Sequence, residues 1–203
     1  MEAIAETHLS GAVRLGRWWF QRRSLSPLPF FALMIVSPSD FSWTGIGVLL
    51  PIAGIVLSES VRIWAVGYAG SATRTRGDSV PDLVHAGPFR FVRNPLYLAN
   101  ILLYTGCGWL FGFIWITVVT FLYSCLQYGF IVRYEENILL RHFGARYQWY
   151  CERVSRWLPA LSPRIQATCQ KFDLRAALRS EQSTFLSMAV MGVAFLVKRF
   201  VTW

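Results

Sequence analysis

Two polar clusters hold the side chains best suited to chemistry. The first runs Leu83-Val84-His85-Ala86-Gly87-Pro88-Phe89 and continues to Arg93-Asn94-Pro95-Leu96-Tyr97. Gly87-Pro88 is a turn signal, and a glycine lets a ligand approach the backbone. Pro95 suits the first position of a helix, where its missing N–H would have no partner anyway. A helix starting there points its positive end at whatever lies before it, and such an end attracts a carboxylate. Arg93 adds a full charge on a two-pronged donor. This cluster has the makings of an anion site.

The second cluster opens with Glu135-Glu136. It continues through Leu139, Leu140, Phe143-Gly144, Tyr147 and Tyr150 to Arg156-Trp157-Leu158-Pro159. Carboxylates at a membrane boundary are costly unless they are paired or functional. A zwitterion with separated carboxylate and ammonium would satisfy both clusters, and a sulfonium would be welcome beside Phe89, Tyr97 and Tyr134. S-adenosylmethionine has all three features. Each residue alone has a plainer reading. Arg93 could be a topology signal, and Glu135 and Glu136 could form surface pairs with Arg133 and Arg141. Leu139, Leu140 and Phe143 follow Glu136 at helical spacing and suit packing. Gly144 suits a helix C-terminal cap. His85 could be a base, a donor or a loop residue, whereas His8 and His142 have no evident role. The signal lies in the conjunction of the clusters.

What brings the clusters together is an uncharged run between Arg93 and Arg133. One span needs roughly 20 apolar residues, and this run is close to twice that. Gly106, Gly108 and Gly112 near its middle suggest a turn, so a helical hairpin is expected over 96–110 and 113–132. A hairpin returns its two ends to one membrane face and makes the clusters neighbours. Further apolar segments are Ser24 to Ser39, Phe41 to about Val66, and Gln182 to Val197. A short amphipathic helix is expected between Asp173 and Glu181.

Composition agrees with a membrane setting. Of the 203 residues 54% are hydrophobic and only 15% charged, against about 25% charged in soluble domains. The expected fold class is therefore all-α: a polytopic integral membrane protein with about five membrane helices. Residues 1–203 form a single membrane domain. The net charge is +9, and the basic residues are Arg apart from Lys171 and Lys198. These Arg residues border apolar runs, which suits headgroup-facing loops and argues against nucleic acid. The basic stretches are the N-terminal arm, 68–94 and 133–181, which the positive-inside rule places in the cytoplasm together with the cofactor pocket. Lys198 and Arg199 would then lie on the far side, against that rule. Cys107, Cys125, Cys151 and Cys169 have no metal-like spacing, and no cleavable signal is evident.

The strings H-A-G-P-F-R-F-V-R-N-P-L-Y and E-E-N-I-L-L-R-H-F-G-A-R-Y, flanking an apolar hairpin, resemble the isoprenylcysteine carboxyl methyltransferase and phospholipid methyltransferase family. The likeness covers about residues 80–159, a methyltransferase core, and includes Tyr150, Val154 and Pro159. Asn94 stands where His is commoner in that family, and Phe89 where Tyr is. The resemblance implies a membrane methyltransferase that uses S-adenosylmethionine. Carried over, Leu83, Val84 and Phe89 would line the adenosine part, while Asn94, Pro95, Leu96 and Tyr97 would meet the cofactor at the helix start. Glu135 and Glu136 would bind its amino group, and Arg133 would face the acceptor. Arg93, from its own charge and planar fork, is expected to shape the pocket as a catalytic residue.

That acceptor would be a membrane lipid or a prenylated or otherwise lipidated molecule held in the bilayer. A carboxylate acceptor needs no base. An amine must be in its free-base form, and His85 and the two Glu residues are the candidate proton acceptors. Two rival readings remain at this point: a sterol-type reductase using a nicotinamide cofactor, and a non-catalytic membrane protein of the same fold.

Overall fold

The computed structural model describes residues 10–25, 27–36, 45–70, 82–111, 114–166 and 170–201, without the side chains of Arg199 and Val201. Among them the regular structure is entirely helical. In chain order the helices are α1 (Gly11–Arg22), α2 (Leu28–Val36), α3 (Ile46–Ala69), α4 (Pro95–Leu110), α5 (Ile114–Phe143), α6 (Ala145–Arg153) and α7 (Leu174–Val201). A 3₁₀ turn, Gly87–Arg90, precedes α4.

Among the described residues three helices are long and apolar enough to cross a membrane: Ile46–Ala69, Ile114–Phe143 and Leu174–Lys198. Of the five expected segments, α2 with 9 residues and α4 with 16 are shorter than a full span. The long helices expose large apolar side chains such as Leu49, Val56, Leu122, Leu126, Leu186 and Val190. In water such surface would be a liability; in a bilayer it is the lipid-facing wall. The protein is an integral membrane protein.

The expected hairpin is present as α4 and α5, with its first arm ending at Leu110 and its second beginning at Ile114, close to the expected bounds. Gly106 and Gly108 lie inside α4 and are buried, so they serve helix packing. Gly112 and the turn near Asp40 lie outside the described residues. The second arm runs past Arg133, through Glu135 and Glu136, to Phe143. It stops at Gly144, where φ is +50° and the N–H reaches the Leu140 carbonyl at 2.9 Å. The glycine thus caps α5 as its sequence position suggested, in a conformation that Cβ-bearing residues avoid.

Two apolar clusters hold the bundle. Met34, Leu103, Cys107, Phe111 and Ile116 pack at the turn end of the hairpin. Phe20, Tyr97, Ile101, Tyr128, Ile131, Val132 and Tyr134 pack at its open end. Phe20 belongs to α1, which crosses α5 so closely that a Cβ at Gly16 would clash with the Phe130 carbonyl oxygen.

The C-terminal segment departs from expectation. The amphipathic stretch and the last apolar run are one continuous 28-residue helix, α7. No proline interrupts it, and Asp173 caps its start by accepting the Ala176 N–H at 2.9 Å. Continuity turns Glu181 inward, 1% exposed, onto Arg62 of α3 at 2.6 Å. Arg62 also donates to Asn100 of α4 and to Thr184, and faces Glu59 at 3.3 Å. This buried ion cluster ties α3, α4 and α7 together. Lys198 turns inward as well, donating to the Met34 carbonyl at 2.6 Å in the last turn of α2. A helix C-terminus favours a cation, so this lysine has a packing role beside any topological one.

A charged hydrogen bond of this kind contributes about 1.5–3 kcal/mol. Glu181→Ala is therefore expected to lower the thermal unfolding midpoint of the detergent-solubilised protein. Arg62→Met combined with Glu181→Met and Glu59→Gln is expected to recover much of the loss, because it removes the cation and both of its carboxylate partners together. An unchanged midpoint in Glu181→Ala would show that α7 docks without the ion pair.

Candidate active site

Chain geometry brings the two polar clusters together at the open end of the hairpin. Glu135 and Glu136 lie one full-length helical arm away from the turn, and the other arm begins at Pro95. Tyr97, in the first turn of α4, donates its hydroxyl to Glu135 Oε1 at 2.6 Å. Arg93, just before α4, places Nη1 3.2 Å from Glu136 Oε1. Pro95 occupies the first helical position, and no side chain caps the helix at Asn94. The Asn94 amide instead donates to the Arg156 carbonyl at 3.2 Å.

Arg156 completes the arrangement. It addresses Glu136 with both prongs, Nε to Oε1 at 3.0 Å and Nη2 to Oε2 at 2.5 Å. Glu136 therefore sits between two guanidinium groups. Arg93 and Glu136 are both 12% exposed, whereas Arg156 is 39% exposed. Arg93 Nη1 also approaches Cys151 Sγ at 2.7 Å. By contrast, Arg93 Nε–H is buried and has no hydrogen-bond partner among the described residues. A buried unpaired donor is uncommon in a folded protein. Here it belongs to a cation beside an uncapped helix start.

Glu135 is placed differently. Its Oε1 faces Arg23 Nη1 at 3.6 Å, and the two side chains are 29% and 21% exposed respectively. Arg23 follows α1, so the N-terminal arm contributes to the site. Neither Arg23 nor Arg156 was singled out from sequence, although Arg156 stands in the second cluster. The signal for Arg23 was present only as a basic residue in an arm whose docking place the sequence does not specify.

The strip before α4 is stitched to the segment after α6. Arg93 N–H donates to the Ser155 carbonyl, Ala160 N–H to Phe91 and Arg164 N–H to Arg90, each at 2.9–3.0 Å. Tyr150 donates its hydroxyl to the Phe89 carbonyl at 2.7 Å. Burial pushes that phenol up from its ordinary range, so it remains a donor. Leu83 is buried among Tyr147, Tyr150, Val154 and Ile165, which makes it a support for the strip. Val84 and Phe89 are half-buried, as is Leu96 at the start of α4. His85 Nδ1 lies 2.9 Å from the Leu83 carbonyl, a contact within its own loop. Arg133 is not brought to the cluster: it is exposed on α5, with its guanidinium 5.6 Å from the Phe130 ring.

Beside the strip lies an open cleft of about 220 Å³, lined by Trp64, Tyr68, Gly87, Arg90, Phe91 and Gln170. Trp64 and Tyr68 come from the end of α3, and Gln170 from just before α7. Aromatic walls with a few polar groups suit an amphipathic ligand. The site as a whole thus offers an unpaired guanidinium donor at a helix start, a partly exposed carboxylate across from it, and an aromatic cleft nearby.

The family model for phospholipid methyltransferases matches residues 43–146, just over half of the chain. That range takes in α3, both arms of the hairpin, Arg93 and the acid pair. The nickel-cobalt-cadmium resistance protein NccN of Alcaligenes xylosoxydans xylosoxydans is 27% identical over 124 residues, covering 61% of this chain and 55% of that protein. The cobalt-zinc-cadmium resistance protein CzcN of Cupriavidus metallidurans is 30% identical over 113 residues, covering 56% of this chain and 49% of that protein. The chain spans about half the length of these curated relatives. No solved structure gives a significant match.

Proposed function

The chain belongs to the phospholipid methyltransferase family, and from that premise we propose that it transfers a methyl group from S-adenosylmethionine to a lipid or lipidated acceptor held in the bilayer. Bound at this site, the cofactor supplies an activated methyl group on a sulfonium. The observation that carries the reading is the meeting of Arg93 and α4 with Glu135 and Glu136 at one end of the hairpin. Arg93 Nε–H is the unpaired donor that a carboxylate would fill, with the uncapped start of α4 at Asn94, Pro95 and Leu96 behind it. Glu135 would hold the ammonium, and the Tyr97 hydroxyl fixes that carboxylate's orientation. Glu136 is engaged by Arg93 and Arg156 and would brace the site. Val84 and Phe89 would flank the adenosine part, with Leu83 holding their strip in place. Arg133, exposed on α5, would meet the acceptor from the membrane side.

The protein's contribution to methyl transfer is position and exclusion of water. Basic residues border the apolar segments on the side of the acid pair, so the site is assigned to the cytoplasmic face. The relatives' names concern metal resistance. Among the described residues no group of three or more His, Cys, Asp or Glu could hold a metal ion.

Binding of radiolabelled S-adenosylmethionine to the purified, detergent-solubilised chain tests the reading, followed by transfer of label into a lipid extract. Glu135→Gln turns a charged contact with the ammonium into a neutral one. At a partly exposed carboxylate that loss is about 1.5 kcal/mol, or roughly ten-fold weaker binding. Unchanged affinity would place the ammonium elsewhere.

A further inference from the structure

We infer that the outer face of α1 is a docking surface for anionic phospholipid headgroups, and that Arg23 couples its occupancy to Glu135. The inference about Glu135 rests on the functional reading above; the docking surface itself does not.

The inner face of α1 is committed. Gly16 and Phe20 are buried against α5, and Phe20 packs on Tyr134 with ring centroids 5.5 Å apart. The opposite stripe of Arg14, Trp18, Gln21, Arg22 and Leu25 is exposed. α1 contains no acidic residue. The Arg22 guanidinium lies 4.6 Å from the Trp18 ring centroid, which arranges a cation beside an amphipathic aromatic. Trp and Arg in this pairing suit the headgroup layer, where the ring sits at the boundary and the charges meet lipid phosphates. Because α1 packs across a membrane-spanning helix, its outer stripe is held at the bilayer whatever the lipid. Charge complementarity therefore selects anionic over neutral headgroups.

Arg23 is next to Arg22 in sequence, and its side chain turns toward the inner face. Its guanidinium stacks 4.2 Å over the Phe20 ring and faces Glu135 Oε1 at 3.6 Å. It thus stands beside the carboxylate proposed for the ammonium, a resident cation where a ligand cation is needed. An anionic headgroup drawn to Arg22 competes for Arg23 as well. When Arg23 turns to the lipid, Glu135 is freed. The pair is partly exposed, so its strength is that of a surface ion pair, and the expected gain in cofactor affinity is about two- to five-fold.

The test uses the full chain in lipid nanodiscs of phosphatidylcholine alone or mixed with phosphatidylglycerol. Two quantities are read: phosphatidylglycerol retained on the protein by native mass spectrometry, and affinity for S-adenosylmethionine. Wild type is expected to retain phosphatidylglycerol and to bind the cofactor about two- to five-fold more tightly when it is present. Arg14→Gln combined with Arg22→Gln should lose the retained lipid and the response, while keeping the affinity seen in phosphatidylcholine. Arg23→Gln should bind the cofactor in phosphatidylcholine as tightly as wild type does with the anionic lipid. Equal retention by wild type and the double variant overturns the docking surface, even if no cofactor binds. Self-association through this face without lipid retention assigns it to a second copy and also overturns the proposal. Retention with unaltered cofactor affinity overturns the coupling through Arg23. Absence of cofactor binding in every lipid overturns the functional reading and the coupling, and leaves lipid retention to decide the surface.

Discussion

Glu136→Gln is expected to destabilise the folded protein by about 3 kcal/mol, the low end of the cost of breaking a buried ion pair. Both oxygens of Glu136 are occupied, by Arg93 at 3.2 Å and by Arg156 at 3.0 and 2.5 Å. A glutamine keeps one acceptor and turns the other into a donor aimed at a guanidinium. Two neighbouring cations then lose their shared counter-charge. The estimate is held to the low end because Arg156 is 39% exposed and water can screen it. Loss of the brace also frees the segment after α6, whose carbonyls at Arg156 and Ser155 hold Asn94 and Arg93. Thermal unfolding in detergent reads the effect directly. Glu135→Gln serves as the control, since it should fold normally and lose cofactor affinity. A Glu136→Gln protein of wild-type stability with weakened binding would show that Glu136 is a ligand and not a brace.

Arg93→Lys is expected to insert normally and to lose most methyl transfer. The positive-inside rule counts Lys and Arg alike, so a residue that only sets topology tolerates the exchange. The pocket asks for more. Arg93 serves Glu136 and Cys151 through Nη1 and presents Nε–H separately. A lysine offers one compact ammonium, which can keep the pair with Glu136 but has no second nitrogen to donate from the place that Nε–H occupies. The measurement is label from S-adenosylmethionine recovered in the lipid extract, with protein level determined in the same membranes. Full activity at equal protein level would reduce Arg93 to a topology signal. The site would then rest on the start of α4 and on Glu135.

The hairpin and the pairing of its two ends were legible in the sequence. An uncharged run of twice the spanning length, fenced by Arg93 and Arg133, has few ways to fold in a bilayer, and any hairpin returns Tyr97 to Glu135. Gly144 was legible because a helix end is a local event. What escaped were contacts made across helices with no local pattern. Arg62 and Glu181 are 119 residues apart, and nothing near either names the other. The stretch from Asp173 to Glu181 looked like a surface helix because its charges were counted, while the lack of any proline from Leu174 to Val201 was the stronger sign of one continuous helix. Arg23 was hidden for a related reason. The arm that carries it is amphipathic, but only packing at Gly16 and Phe20 determines which helix it crosses.

The ion cluster around Arg62 also bears on the order in which the protein is made. Synthesis delivers α3 to the membrane long before α7 emerges, so Arg62 enters without Glu181. Glu59 lies three residues earlier on the same helix, 3.3 Å from the guanidinium, and enters with it. Together they make α3 electrically neutral across Ile46–Ala69 from the start, which lowers the cost of inserting the arginine. The carboxylate of Glu181 arrives as a second partner, brought by a helix synthesised later. Within the described chain, the contact that closes α7 onto the bundle is thus one that α3 can wait for without carrying an unbalanced charge in the bilayer.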